Sequence, residues 1–384
     1  MDQLRAAKLR ALVRDKVDIS RAAPSVLPGG AALYIPPPTD PAGADSRSGS
    51  GSGSGPGSGA DRGSGADWGS GADWGSGAGW GSGSDEASGA ERGAGSGAVW
   101  VLIDDGDVSR FGSALAWWSR RGPATLDVVV DGSPSAPGIV ARRAACFAHP
   151  ATVWAVAGTT LVPVEPAPPV PDSADDPPES IVDLLDAHGL EVIWEHGVLR
   201  GEVLGLEVAR TVGTVLEVGV GRYDRSARIE MRPGEALPSA LEEAAAAVRE
   251  LRRPGAPRHP ANTLARSRWL RSLLLRTPSA FGFSGLVPVA PPLPWFDLSE
   301  AGAAPCVGVS AETGSDVVVV CSVGVDLDLV PTAADCRLLY ADPSEVDLWL
   351  VMPEGDDLPV TRNLAGQLTP PARILTVPRE WERT

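Results

Sequence analysis

Two glutamates, Glu207 and Glu217, stand in neighbouring apolar stretches, "VLRGEVLGLEVARTV" and "TVLEVGVGR". Leu204, Leu206 and Val208 fall on even positions of the first, and Leu216, Val218 and Val220 on even positions of the second. Successive side chains of a strand point to opposite faces. If the stretches join as a hairpin across "VGT", both apolar rows turn to the core and the two glutamates share the other face, about 5–8 Å apart. Gly205, Ala209, Gly219 and Gly221 leave room beside them. Carboxylates paired in this way can hold Mg²⁺ or Mn²⁺ or do acid–base work. They can equally neutralise arginines such as Arg200 or Arg222.

A second candidate is an arginine island. From Arg249 to Arg276 the arginines face a single acid, Glu250. Arg258, Arg266, Arg268 and Arg271 are the candidate phosphate or anion ligands. Arg268 and Arg271 lie three apart on one helix face, away from Leu270, Leu273 and Leu274. The competing reading is a solvated face or an internal seam of salt bridges. A third group is the acids at strand ends: Asp104, Asp105 and Asp131 early, then Asp326, Asp328, Glu354, Asp356 and Asp357 late. The carboxyl edge of a parallel sheet is where ligands bind, although such acids also cap turns and helices. Thr332 and Asp335 have the spacing of a helix start. His149, His188, His196 and His259 lack the flanking residues of a hydrolase triad, and no phosphate-binding glycine loop is present. Cys146, Cys306, Cys321 and Cys336 form no CxxC pair and are expected as buried free thiols of a reducing cytoplasm.

The elements that must position these residues follow from periodicity. Leu9, Leu12, Val13 and Val17 mark an amphipathic helix over 3–17, followed by a strand at Ala31–Ile35. Residues 39–97 are almost entirely Gly, Ser, Ala and Asp, a composition that cannot bury enough apolar surface to order itself. The phased repeats carrying Trp68, Trp74 and Trp80 read as a duplicated insertion within the hairpin that joins Ala31–Ile35 to 98–103. Residues 98–157 alternate strand and helix, as a mainly parallel βαβαβ unit does. A Pro-rich acidic linker covers 163–180. A helix closed by Gly189, three strands, and helices over 238–252 and 262–276 come next, the last capped by Asn262. The final third repeats the βαβαβ order. Sliding 98–157 forward by 220 lays Val99 on Val319, Pro123 on Pro343, Asp127 on Asp347 and Arg142 on Arg362.

The chain has 384 residues, 43% of them hydrophobic, and a formal charge of −16. That allows a sizeable core and opposes nucleic acid or an anionic membrane except where basic residues cluster. The N-terminal residues are charged throughout, with no signal-type apolar region, and no apolar run reaches the roughly 18–20 residues of a membrane span.

The order helix, strand, strand, strand, helix over residues 180–252 resembles the core of the PD-(D/E)XK nucleases. The resemblance implies a metal held by a second-strand acid, Glu207 or Glu202, and a third-strand acid, Glu217. The lysine of that motif falls on Gly219, and an arginine such as Arg222 would have to replace it.

The fold expected is α/β. Residues 1–162 form an N-terminal α/β unit with the disordered insertion, and 181–284 a three-stranded middle unit with Arg-rich helices. Residues 285–384 form a C-terminal α/β unit repeating 98–157. The expected function is a cytoplasmic, non-enzymatic module that binds a partner protein or assembles with itself, with no membrane attachment. The alternative is a metal-dependent, nuclease-like hydrolase of nucleic acid using Glu207 and Glu217.

Overall fold

The structure is a computed structural model in which residues 2–37, 97–122, 124–171, 177–231, 236–294 and 302–383 are described. Trp68, Trp74, Trp80, Pro123 and the tract that carries the tryptophans lie outside the described residues. The chain up to Pro36 and from Gly97 onward forms one compact unit. It is mixed α/β, with three sheets.

The N-terminal lobe runs α1 (Asp2–Val13), β1 (Ala23–Leu27), β2 (Gly30–Ile35), β3 (Gly97–Ile103), α2 (Arg110–Trp118), β4 (Ala124–Val130), α3 (Ala136–Ala144), β5 (Thr152–Ala157) and β6 (Thr160–Pro163). Strand order follows chain order, with β3, β4 and β5 parallel and the flanking pairs antiparallel. Ile35 pairs with Ala98, so residues 36–97 do connect two adjacent strands of one hairpin. Leu9 and Val13 of α1 are buried against Leu33, Trp100 and Leu102 on one face of the sheet. Helices α2 and α3 cover the other. Strands β1 and β6 have no counterpart in the sequence reading, because each is a short edge strand without a full alternation.

The middle unit contains α4 (Glu179–Ala187), β7 (Glu191–Glu195), β8 (Val198–Val203), β9 (Leu206–Val212), β10 (Val215–Val218), α5 (Gly221–Met231), α6 (Leu237–Leu251) and α7 (Arg266–Arg276). Its sheet is an antiparallel meander of four strands, one more than the three expected. The stretch "VLRGEVLGLEVARTV" folds back on itself at Leu204 and Gly205, both with positive φ (49° and 75°), as the tightest hairpin turns require. Leu204 is therefore a turn residue and not part of an apolar row. The strand expected through Arg222 stops at Val218, and α5 begins at Gly221. Asn262 caps no helix: its amide donates to the Leu251 carbonyl, and α7 starts four residues later.

The C-terminal lobe comprises β11 (Phe283–Pro288), β12 (Ala304–Ser310), β13 (Asp316–Cys321), α8 (Leu329–Tyr340), β14 (Asp347–Pro353), α9 (Pro359–Gly366) and β15 (Arg373–Val377). Its strand order is β11-β12-β13-β14-β15, with the first two pairings antiparallel and the last two parallel. That is the arrangement of β1 to β5. The correspondence extends to the preceding helix, since α7 packs on the far face of this sheet through Leu270 and Leu274 as α1 does on its own. The gapless offset of 220 does not hold. Val99 pairs with Leu126, 27 residues on, whereas Val319 pairs with Trp349, 30 residues on. Asp127 is consequently buried within β4, whereas Asp347 opens β14. Arg142 is buried and Arg362 exposed.

Helices α2 and α3 pack face to face with α8 and α9 in one shared core. Just after α3 and α9, Phe147 and Leu368 form an antiparallel bridge. Ala148 N–H donates to the Gln367 carbonyl (2.8 Å) and Thr369 N–H to the Cys146 carbonyl (2.9 Å). Equivalent positions thus meet each other, as across a two-fold axis. Arg142 and Arg143 of α3 both bind Asp335 of α8, at 2.6 and 3.1 Å. Asp335 and Thr332 lie inside α8 and do not start it; the helix is preceded by Asp328. All four cysteines are free and buried. Burial pushes the Cys306 thiol up to about 12, far from thiolate chemistry at neutral pH.

The Leu204–Gly205 turn rests directly on the backbone of α7. A Cβ on Gly205 would lie 2.2 Å from the Arg268 carbonyl carbon. Gly205→Ala is expected to lower the unfolding free energy by about 2 kcal/mol or more, from backbone strain together with displacement of α7. Urea unfolding checks it, and an unchanged midpoint would mean the turn does not seat on the helix.

Candidate functional site

The middle sheet has one apolar and one charged face. The apolar face, with Leu199, Val203, Leu206, Ala209, Leu216 and Val218, is covered by Leu185 of α4 and by Leu241, Ala244, Ala245 and Val248 of α6. Between β8 and β9 the register slips, with Gly201 opposite Ala209 but Glu202 opposite Glu207, leaving Val208 as the extra residue of a β-bulge. Glu217 pairs with Arg210, an even position of β9. Strict alternation would set it opposite in direction to Glu207, and the bulge restores a common face.

Glu207 and Glu217 do share an environment, and arginines occupy it. Arg225 of α5 reaches Glu207 at 2.8 Å and Glu217 at 3.6 Å. Arg200 binds the other Glu207 oxygen at 3.0 Å and also Glu195 at 3.1 Å. Arg268 binds both Glu195 and Glu202, and Arg271 binds both at 3.4 Å. The result is an unbroken ladder of alternating charge from Glu217 to Arg271. Glu195, Glu202 and Arg271 are at most 1% exposed. Burial pushes the Glu195 carboxyl up, but Arg268, Arg271 and Arg200 outweigh it and hold the group below its ordinary range. At the margin, burial raises Glu191 despite a hydrogen bond from the Ser272 hydroxyl.

The island of arginines is therefore divided. Arg268 and Arg271 form the internal seam, Arg266 binds Glu382, and Arg258 is exposed and, among the described residues, has no ion pair. They do not converge on a common anion site. Arg225, the residue that clamps both candidate carboxylates, escaped sequence reasoning because the strand was carried through Arg222 and no helix was read between there and residue 238. Arg222 is exposed at the start of α5. Arg252, also in the island, donates to the Leu204, Ala261 and Leu264 carbonyls and lies 4.4 Å from the Trp269 ring. Burial lowers its pKa to about 10. Among the described residues no group of three or more His, Cys, Asp or Glu is arranged to hold a metal ion.

The strand-end acids lead to a different place. Asp104 and Asp131 share Lys8 of α1, and Asp105 binds Arg110 at 2.9 Å. Asp357 binds Arg362, and Asp356 accepts from the Gly324 N–H. Asp326 and Asp328 border a cleft of about 1060 Å³ where the two outer lobes meet. From the N-terminal lobe it is lined by the segments after β3 and β4, with Ser109, Ser133 and Ser135. From the C-terminal lobe come Pro291–Pro294, Asp326, Asp328 and Thr332. Asp328 binds Arg143 at 2.8 Å and accepts from the Thr332 hydroxyl at 2.8 Å, while its Oδ1 has no partner. Asp326 accepts from the Asp328 N–H at 2.9 Å. Burial pushes Asp326 up to about 6. The cleft thus gathers the carboxyl ends of parallel strands, three helix starts, several hydroxyls and a carboxyl that changes charge near neutrality.

Comparison with protein-family models, with curated proteins and with solved structures found no match to the chain.

Two predictions follow from the charges. Glu202→Ala removes one of the two buried carboxylates that Arg268 and Arg271 share, leaving Glu195 to answer both guanidinium groups, and is expected to lower the unfolding free energy by about 3–5 kcal/mol. Combining Glu202→Leu with Arg268→Met should recover most of that loss in urea unfolding, since an apolar pair carries no desolvation penalty. A double variant no better than Glu202→Ala would contradict it. For Asp326, the folded pKa lies above the unfolded one, so the folded state holds the extra proton and its contribution declines as pH rises from about 4 through 6. Asp326→Asn should therefore gain stability relative to wild type between pH 4 and 7; parallel pH profiles would refute the shift.

Proposed function

We propose that this chain is a non-enzymatic binding protein that takes a small polar ligand in the cleft between its outer lobes. The observation that carries the reading is the cleft itself, about 1060 Å³ at the junction of two similar lobes, lined from both by the loops that follow the carboxyl ends of parallel strands. That edge is where open α/β sheets recognise ligands, and a cleft of this size suits a molecule of metabolite dimensions. Ser109, Ser133, Ser135 and Thr332 supply hydroxyls, and Asp326 and Asp328 supply carboxylate oxygens. Supporting the non-enzymatic part, Glu207 and Glu217, the carboxylates best placed in the sequence for metal chemistry, are engaged by Arg200 and Arg225. We also infer that the two lobes descend from one unit that assembled with itself. The shared strand order and the mutual Phe147–Leu368 bridge support this.

The second reading, a metal-dependent nuclease-like hydrolase, draws on one feature: Glu207 and Glu217 share a sheet face and an arginine. One thermal-unfolding experiment separates the two. A panel of amino acids, polyols and nucleosides is expected to contain a compound that raises the melting temperature of the wild type but not of Ser135→Trp, which fills the cleft. Mg²⁺ or Mn²⁺ is expected to leave the melting temperature unchanged, and Glu207→Ala to lower it in metal-free buffer by unpairing Arg200 and Arg225. Stabilisation by metal that disappears in Glu207→Ala would replace the binding reading with the hydrolase. Equal ligand responses in wild type and Ser135→Trp would remove the cleft from it.

A further inference from the structure

The C-terminal lobe carries a second recess, remote from the cleft in its lining residues, and its chemistry points to a partner. A cavity of about 370 Å³ opens on the α8 side of the sheet, lined by Val307, Val309, Val318, Tyr340 and Val346. The pairing register sets Val287 of β11 beside Val307, and Val307 beside Val318, so their side chains share one face. Val287 is 62% exposed on the edge strand. The apolar face therefore continues from the recess to Val287 at the edge of the sheet.

Three carboxylates surround it: Asp316 at the start of β13, Asp342 just after α8, and Glu345 before β14. All three are exposed. Among the described residues none has a cationic partner, although arginines elsewhere answer most of the acids that border the core. The Asp342 carboxylate accepts from the backbone N–H and the hydroxyl of Ser344. The corresponding corner of the N-terminal lobe is closed by its own side chains. There Arg121 lies 4.3 Å from the Trp117 ring and 5.8 Å from the Tyr34 ring, and the Trp118 indole donates to the Ala124 carbonyl. One lobe supplies an aromatic filling and a cation from within, and the other presents an apolar recess bordered by acids that have no cationic partner among the described residues.

We propose that this groove docks a basic segment of a partner protein, which inserts an aliphatic or aromatic side chain between Val309 and Tyr340 and sets Arg or Lys against Asp316, Asp342 and Glu345. The apolar face runs on along the sheet to the exposed Val287, which suits an extended chain better than a compact molecule. The formal charge of −16 draws a basic partner in and repels an acidic one. This reading does not depend on the inter-lobe cleft.

The test uses a fluorescein-labelled heptapeptide with a central tryptophan between two leucines and with arginine and lysine at each end, followed by anisotropy. A control peptide keeps the apolar centre and replaces every basic residue by glutamate. The full chain is expected to bind the basic peptide in a saturable, salt-sensitive manner and to leave the acidic one free. Asp316→Asn combined with Glu345→Gln should weaken binding at least about tenfold, the scale of two lost charge pairs, as should Val287→Asp. These positions are exposed, and unchanged circular dichroism and melting temperature confirm the fold. Equal binding to the charge variant would reduce the effect to general attraction by an acidic chain and overturn the proposal. So would no binding at all, binding of the acidic peptide, or displacement by hexylamine as effective as that by unlabelled peptide, which would assign the recess to a small amine.

Discussion

The arrangement of this protein depends on a buried layer of carboxylate–guanidinium pairs. One face of the middle sheet carries Glu195, Arg200, Glu202 and Glu207, side chains that no apolar helix could cover. Arg268 and Arg271 of α7 and Arg225 of α5 cover it instead. The opposite side of α7 presents Leu270 and Leu274 to the C-terminal sheet. A single helix therefore joins two sheets through unlike forces, ion pairing on one side and apolar burial on the other. Pairs of this kind are not strong sources of net stability, because desolvation offsets most of the attraction. Their consequence is selectivity: a displaced α7 would strand several buried charges, so alternative packings are heavily penalised.

The outer lobes have the same sequence of elements and meet through the same helix layer. Equivalent helices and equivalent loop residues pack against each other, and Arg142, Arg143 and Asp335 place a second buried charge cluster at that junction. Symmetry of this kind brings two strand-end edges together and so creates a recess that neither lobe has alone. Departures from symmetry are equally informative. Trp117, Trp118 and Tyr34 close a corner in one lobe that stays open in the other, whereas the acids match: Asp107 accompanies Asp105 as Asp328 accompanies Asp326, and Asp107 and Asp328 line the cleft from opposite lobes.

Much of this was legible in the amino-acid pattern. The helix stripe of Leu9 and Val13, the alternation of strand and helix in both outer lobes, the hairpin joining residues 31–35 to 98–103, and the helix end at Gly189 all rest on local rules of periodicity and turn chemistry. The shared face of Glu207 and Glu217 was expected from unbroken alternation. It arises instead from two departures that cancel, a pairing displaced by one position and a bulge at Val208. A bulge has no period of its own, and neither does the turn at Leu204, where a bulky residue holds a left-handed conformation.

The partners of the charged residues were beyond reach for a different reason. Composition and spacing established which side chains are ionisable, how they alternate along a strand or helix, and that arginines cluster before residue 276. They could not establish whether an arginine meets water, phosphate or a carboxylate. Arg268 and Glu202 are 66 positions apart, and Arg143 and Asp335 are 192 apart. Such pairs exist because sheets and helices stack at distances unrelated to separation along the chain. Local sequence governs the direction in which a side chain leaves its own backbone; the packing of remote elements governs what it finds there.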